Sequence, residues 1–215
     1  MEINSYSTWL EIDLNAITEN VAYIKRMTGV EVMAVIKANG YGHGARPAAQ
    51  AAVQGGATWC GVARIEEALA LRRAGISAEL MVLGYTPPSK IPEAIDQQIV
   101  VSLFDPSQAE TCLNYARING GKLRAHVKVE TGMGRLGMLP EEVVPFLRAL
   151  QGSAIQVEGI FTHFARADEP ESGYTQRQIE IFNQLLAELE QEGLKPPMVH
   201  AANSAAVFNF PQAWY

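Results

Sequence analysis

The sequence predicts a parallel (β/α)8 TIM-type barrel, truncated after about seven strands. Three observations carry that expectation: short runs rich in Val, Ile and Leu recur along the 215 residues, capped amphipathic patterns lie between them, and polar or glycine-rich residues gather just after the runs. The runs are EVMAVIK (31–37), TWCGVA (58–63), AELMVLG (78–84), QIVVSLF (98–104), KLRAHVKVE (122–130), IQVEGIFTHF (155–164) and MVHAANS (198–204). They are mostly continuous rather than alternating, the pattern of strands buried on both faces of a parallel sheet. Repeated strand–helix units build either an open doubly wound sheet or a closed barrel. Starts spaced 20–45 residues apart with no reversal favour the barrel, whose chemistry sits at the C-terminal strand ends.

The helical patterns carry their own start and stop signals. DLNAITENVAYIKRMT (13–28) precedes the first strand. RIEEALALRRAG (64–75) places Ile65, Ala68, Leu69 and Leu71 on one side and stops at Gly75. DPSQAETCLNYARINGG (105–121) opens with Asp105 as N-cap and Pro106 in the first turn. TQRQIEIFNQLLAELEQEG (175–193) aligns Ile179, Phe182, Leu185, Leu186 and Leu189 in a stripe. After the seventh run, FNFPQAWY (208–215) supplies no eighth strand, and no linker or repeat divides 1–215.

Composition narrows the function classes. With 48% hydrophobic residues the chain can bury a large core. A net charge of −6 argues against a grip on nucleic acid or anionic lipid, which needs a basic face. Cys60 and Cys112 lie in apolar stretches and read as reduced core residues. The start, MEINSYSTWLEID, has neither a basic nor an apolar signal region, and no run is long enough to span a membrane. The expectation is a soluble cytoplasmic enzyme.

The strand-end residues are Lys37 and Tyr41, Lys128 and Arg135, His163, and His200, Asn203 and Ser204. In a barrel they converge on one mouth. A lysine amine, an arginine, imidazoles, a phenol and small hydroxyl or amide groups suit an anionic, phosphate-bearing aromatic ligand. Burial and neighbouring cations lower a lysine's pKa, the condition for a Schiff-base nucleophile.

AVIKANGYGHG (34–44) closely resembles the cofactor-lysine signature of the alanine racemases, fold-type III enzymes dependent on pyridoxal 5'-phosphate. VKVETGMGRLGM (127–138), GIFTHFARADE (159–169), HAANSAA (200–206) and WLEIDLNAITENV (9–21) are similar to further family segments in the family's order. The resemblance implies that Lys37 carries the cofactor and acts as one of two bases at the substrate α-carbon. It implies that Tyr41 and Ser204 hold the phosphate with Asn203 close by. Arg135 is implied beside the cofactor's phenolic oxygen and the substrate carboxylate, with His163 and His200 in the hydrogen-bond set around the ring. A lysine matching Lys128 is often carbamylated in the family. The family's second base is a tyrosine from a C-terminal β domain of the partner subunit, absent from 1–215, so a homodimeric parent is implied. Two other readings stand beside the racemase of L- and D-alanine: a non-catalytic cofactor-binding or folding module, and a fold-type III amino-acid decarboxylase.

The smaller signals read blandly. GMGRLG (132–137) matches G-x-G-x-x-G, with Glu158 about twenty residues on, but Pro140 and the turn's arginine fit a dinucleotide site poorly; the glycines serve a tight turn under Arg135. His43 reads either as catalytic or, at least as well, as loop-shaping, and His126 reads as a satisfied core histidine. RIEEALALRR reads as a charged, solvated helix face, and Asp168 and Glu169 as loop. No cluster has metal-ligand spacing. Gly40 stands where the family more often has alanine, and Glu130 where it more often has aspartate.

Overall fold

The structure is a computed structural model that describes residues 7–215; residues 1–6 of the N-terminal stretch read above lie outside the described residues. All seven expected strands form, each shorter than its apolar run. They are β1 (Met33–Val35), β2 (Trp59–Val62), β3 (Glu79–Val82), β4 (Ile99–Leu103), β5 (Leu123–Lys128), β6 (Ile155–Phe161) and β7 (Met198–His200). The strands are all parallel and lie side by side in chain order. In a flat sheet β2 and β5 would stand about 14 Å apart. The rings of Trp59 on β2 and His126 on β5 are instead 5.4 Å apart, centroid to centroid, because the sheet curls into an open barrel.

Nine helices accompany the strands among the described residues: α1 (Leu14–Thr28), α2 (Lys37–Tyr41), α3 (Ala45–Gln54), α4 (Ile65–Arg73), α5 (Ile91–Asp96), α6 (Pro106–Ile118), α7 (Pro140–Leu150), α8 (Tyr174–Gln191) and α9 (Ser204–Asn209). The expected caps appear. Asp13 accepts the Asn15 and Ala16 amides, and Asp105 accepts those of Ser107 and Gln108 ahead of Pro106. The α8 stripe is buried as expected. The last apolar run does not continue as strand to residue 204: it ends at His200, and Asn203 caps α9 with a bond from the Ala206 amide. An Asn-Ser pair competes for backbone hydrogen bonds in this way and so begins helices more readily than it extends strands.

Two apolar layers sandwich the strands. Outward residues, among them Cys60, Val82, Val101, Leu123 and Val127, pack on the helices in one large cluster. Inward residues Trp59, Met81, Val100 and Phe161 pack with Met33, Leu83 and Met198 inside the barrel. The double burial expected of every strand fails at β1 and β7, whose residues are half-buried or exposed. They are the free edges of the curled sheet, with a neighbour on one side only. Both cysteines are buried free thiols, raised by burial to about 11. No helix among the described residues is long and apolar enough to cross a membrane.

The inward line of β5 is polar. Arg124 pairs with Glu79 of β3 at 2.7 Å and with Glu158 of β6 at 2.8 Å. A bulge makes this possible: Ala125 pairs with Val157 but His126 with Gly159, so Glu158 is the extra residue. The same slip puts Gly159 against His126, where a β-carbon would stand 2.7 Å from the ring.

Candidate active site at the strand ends

Lys37 begins α2, directly after β1. This element is a single turn of left-handed helix: Ala38, Asn39 and Tyr41 have φ of 53°, 55° and 54°, and Gly40 63°. Left-handed backbone costs an L-residue about 1–2 kcal/mol, so the turn needs external support. Asn39 Oδ1 accepts the Ala45 amide at 2.8 Å. His43 Nδ1 lies 3.0 Å from Gly40 O and 3.3 Å from Tyr41 O, the loop-shaping role expected of it. Glu67 Oε1 accepts the Ala38 amide at 2.7 Å. The ANGY stretch (38–41) is thus a bonded left-handed turn that sets Lys37 Nζ 5.9 Å from the centre of the Tyr41 ring.

Arg135 rides on the loop after β5. Glu130 gathers that loop, accepting the amides of Gly132, Gly134 (2.8 Å) and Arg135 (3.2 Å). The loop closes through Glu130 N to Met138 O at 2.8 Å and Met138 N to Lys128 O at 2.9 Å. Gly137, at φ 151°, allows this approach, since a β-carbon there would stand 2.6 Å from the Glu130 nitrogen. The glycines do serve a tight turn. Gln178, buried on α8, ties the loop to its neighbour, bonding Thr131 Oγ1, His163 O and the Ala165 amide.

Electrostatics bring Lys37, Lys128, Arg135 and His163 into one group. Lys128 is almost wholly buried. Desolvation first, then the Arg135 and Lys37 charges, push its pKa down to about 8 against a partial opposing pull from Glu130. Its ammonium lies 5.6 Å from the centre of the Phe161 ring. His163 is lowered to about 4 by desolvation, then by Arg135, Lys128 and Lys37. Among the described residues, none of Lys37, Lys128 and Arg135 has an ion-pair partner. Three cations without an ion-pair partner at one mouth fit a ligand that brings its own negative charge.

His200, Asn203 and Ser204, the rest of the expected set, make contacts of their own. His200 turns inward: its Nε2 is 2.9 Å from His126 Nδ1, and its ring stacks on Phe161 at 4.7 Å. Burial, then His126, lowers it to about 3. The Asn203 side chain is engaged in its cap and in a bond to Phe164 O, while Ser204 is exposed at the start of α9. His126 is only half satisfied, because its Nε2 is buried with no partner. The charged face of α4 is not wholly solvated either: Glu67 is half-buried and accepts three amides, and Arg72 donates to the carbonyls of Ile76, Ala78 and Gln97. A glutamate in the third position of a helix is the capping signal that could have singled out Glu67.

Strand-end cations around a lysine, at the C-terminal mouth of a curled parallel sheet, place the chain in the (β/α) barrel class, whose sites lie at that end of the strands. Residues 12–215 match the family model described as alanine racemase, N-terminal domain, and the chain belongs to that family. Alanine racemase of Symbiobacterium thermophilum is 46% identical over 210 residues, covering 97% of this chain and 56% of that protein. The relative from Desulforamulus reducens is 42% identical, covering 96% and 57%. Among solved structures, alanine racemase of Clostridium difficile 630 in complex with cycloserine superposes with a TM-score of 0.91 at 34% identity, over 97% of this chain and 58% of that one. That of Bacillus anthracis with bound L-Ala-P gives 0.90 at 39%, over 97% and 55%. The chain spans just over half the length of the relatives it matches.

Proposed function

We propose that the chain is the barrel portion of a pyridoxal-phosphate-dependent racemase that interconverts L- and D-alanine, with Lys37 as one of its two bases. The observation that carries this reading is the grouping of Lys37 with Lys128, Arg135 and His163 at one mouth, three of them cationic side chains and none ion-paired among the described residues. That donor set fits an anionic, phosphate-bearing cofactor and an amino-acid carboxylate. When bound, pyridoxal phosphate supplies an electron sink for the charge left as the α-hydrogen departs.

The chain's own residues divide the remaining work. Lys37 would hold the cofactor through its amine and, once the substrate's amine displaces it there, the freed nitrogen would take or return the α-proton on one face of the substrate. Tyr41 and Ser204 hold the phosphate, with the Asn203 cap fixing the backbone that presents Ser204. Arg135 attracts the carboxylate from a loop braced by Glu130. Lys128, poised near neutrality, is able to add carbon dioxide through its free amine and lose a proton, becoming a carbamate that pairs with Arg135. His163 and His200 stay neutral, as hydrogen-bonding groups rather than charges.

The second base, the eighth strand and a C-terminal β domain would lie outside these 215 residues, in a homodimeric parent. The free edges of β1 and β7 favour a further reading, in which the chain alone is a cofactor-holding module that does not turn over. Borohydride reduction of the chain loaded with pyridoxal phosphate, followed by peptide mapping, tests the assignment. Label on the peptide containing Lys37 supports it; label elsewhere refutes it. Turnover of L-alanine by the chain at the rate of a two-domain racemase would rule out the dependence on a second base.

A further inference from the structure

We infer that Glu67 is a positioning residue for Lys37: its carboxylate holds the left-handed turn that aims the lysine into the mouth. The inference rests on the reading of Lys37 as the cofactor lysine. The two oxygens divide their work. Oε2 accepts the amides of Ala63 at 2.8 Å and Arg64 at 3.0 Å, the ordinary duty of a glutamate in a helix's first turn. Oε1 reaches away from the helix to the amide of Ala38, 29 residues back in the chain.

That target is the residue after Lys37 and the first of the left-handed run, at φ 53°. Among the described residues, Glu67 is the one side chain outside 37–45 that bonds the backbone of this turn. Ala63 follows β2 directly, so a single carboxylate joins the ends of β1 and β2 just below the mouth. If the Ala38 amide is released, no other side chain from outside 37–45 bonds the turn, and the ordinary backbone preference of alanine swings Lys37 away from Tyr41. The cap and the tether can be separated. Glutamine keeps an oxygen for the Ala63 and Arg64 amides but sets a donor against the Ala38 amide.

The test compares Glu67→Gln with the unchanged chain by amide hydrogen exchange, urea unfolding and pyridoxal phosphate titration followed by visible absorbance. Exchange at Ala38 should rise about 100-fold while Ala63 and Arg64 keep their protection. The dissociation constant for pyridoxal phosphate should rise about tenfold with the unfolding midpoint nearly constant. Adding Ala38→Gly should restore most of the affinity, because glycine adopts a positive φ without strain. Unchanged affinity, absence of rescue by Ala38→Gly, or affinity lost only in step with the unfolding midpoint would each overturn the proposal. If Glu67→Gln does not fold, Glu67→Asp, one methylene shorter, keeps the charge and shortens the reach to Ala38. Should the unchanged chain take no cofactor on Lys37, the functional reading fails, whereas the Ala38 exchange still reports the tether by itself.

Discussion

Acid should loosen this barrel from the inside, and His126 is one of the residues that resist the proton. It is wholly buried between Trp59 and Gly159, one ring nitrogen bonded to His200 and the other without a partner. Burial, helped by the Arg124 charge, lowers its pKa from 6.5 to about 4. The unfolded chain therefore binds a proton below pH 6.5 that the folded chain refuses until about pH 4. Stability is full above that window and is lost as pH falls through it. Between pH 7 and 5 this one group removes about 2 kcal/mol. His200 and His163 shift in the same direction and add to the loss, so the contribution of His126 is read as the difference that its replacement makes. Urea unfolding at pH 7 and pH 5, read by tryptophan fluorescence, measures the loss, with Trp59 adjacent to the ring. His126→Gln keeps a hydrogen-bonding group opposite His200 and does not titrate. Its loss between the two pH values should be smaller by about 2 kcal/mol. Equal losses in the two proteins would show that His126 is not the group that resists the proton.

Two further outcomes follow from buried groups near the mouth. Lys128 titrates at about 8 when folded and 10.5 when unfolded, so in buffers free of carbon dioxide stability should rise with pH across that interval. Lys128→Met should abolish this rise and stabilise the chain at pH 7 by about 1–3 kcal/mol, measured by urea titration. Gly137→Ala should destabilise by about 2 kcal/mol or more, because a β-carbon would strike the Glu130 backbone at a φ of 151°. Hydrogen exchange should place the opening in residues 130–138, the loop that carries Arg135.

Much of the fold was legible because burial leaves a compositional trace. Seven continuous apolar runs became seven parallel strands, and capping residues such as Asp13 and Asp105 marked helix starts. α7 escaped that reading. Pro140 and Pro145 punctuate it, and it exists because Val143, Val144, Phe146, Leu147 and Leu150 cover the barrel. The strand-end cations were legible too, since the order of the strands fixes which residues reach a common mouth.

The sequence by itself determined the repeating strand–helix units, the net acidity of the chain and the presence of Lys37, Lys128, Arg135 and His163 among the strand-end residues. Tertiary structure alone decided which hydrogen bonds those residues have left to give. His200 faces His126 because the sheet curls, and Glu158 meets Arg124 because a bulge inserts one residue into β6. Glu67, placed by α4, reaches the amide beside Lys37 across 29 residues. Local sequence specifies propensity and periodicity, which act over a few residues. A left-handed turn of alanine, asparagine and tyrosine runs against propensity, and distant groups brought close by folding hold it in place.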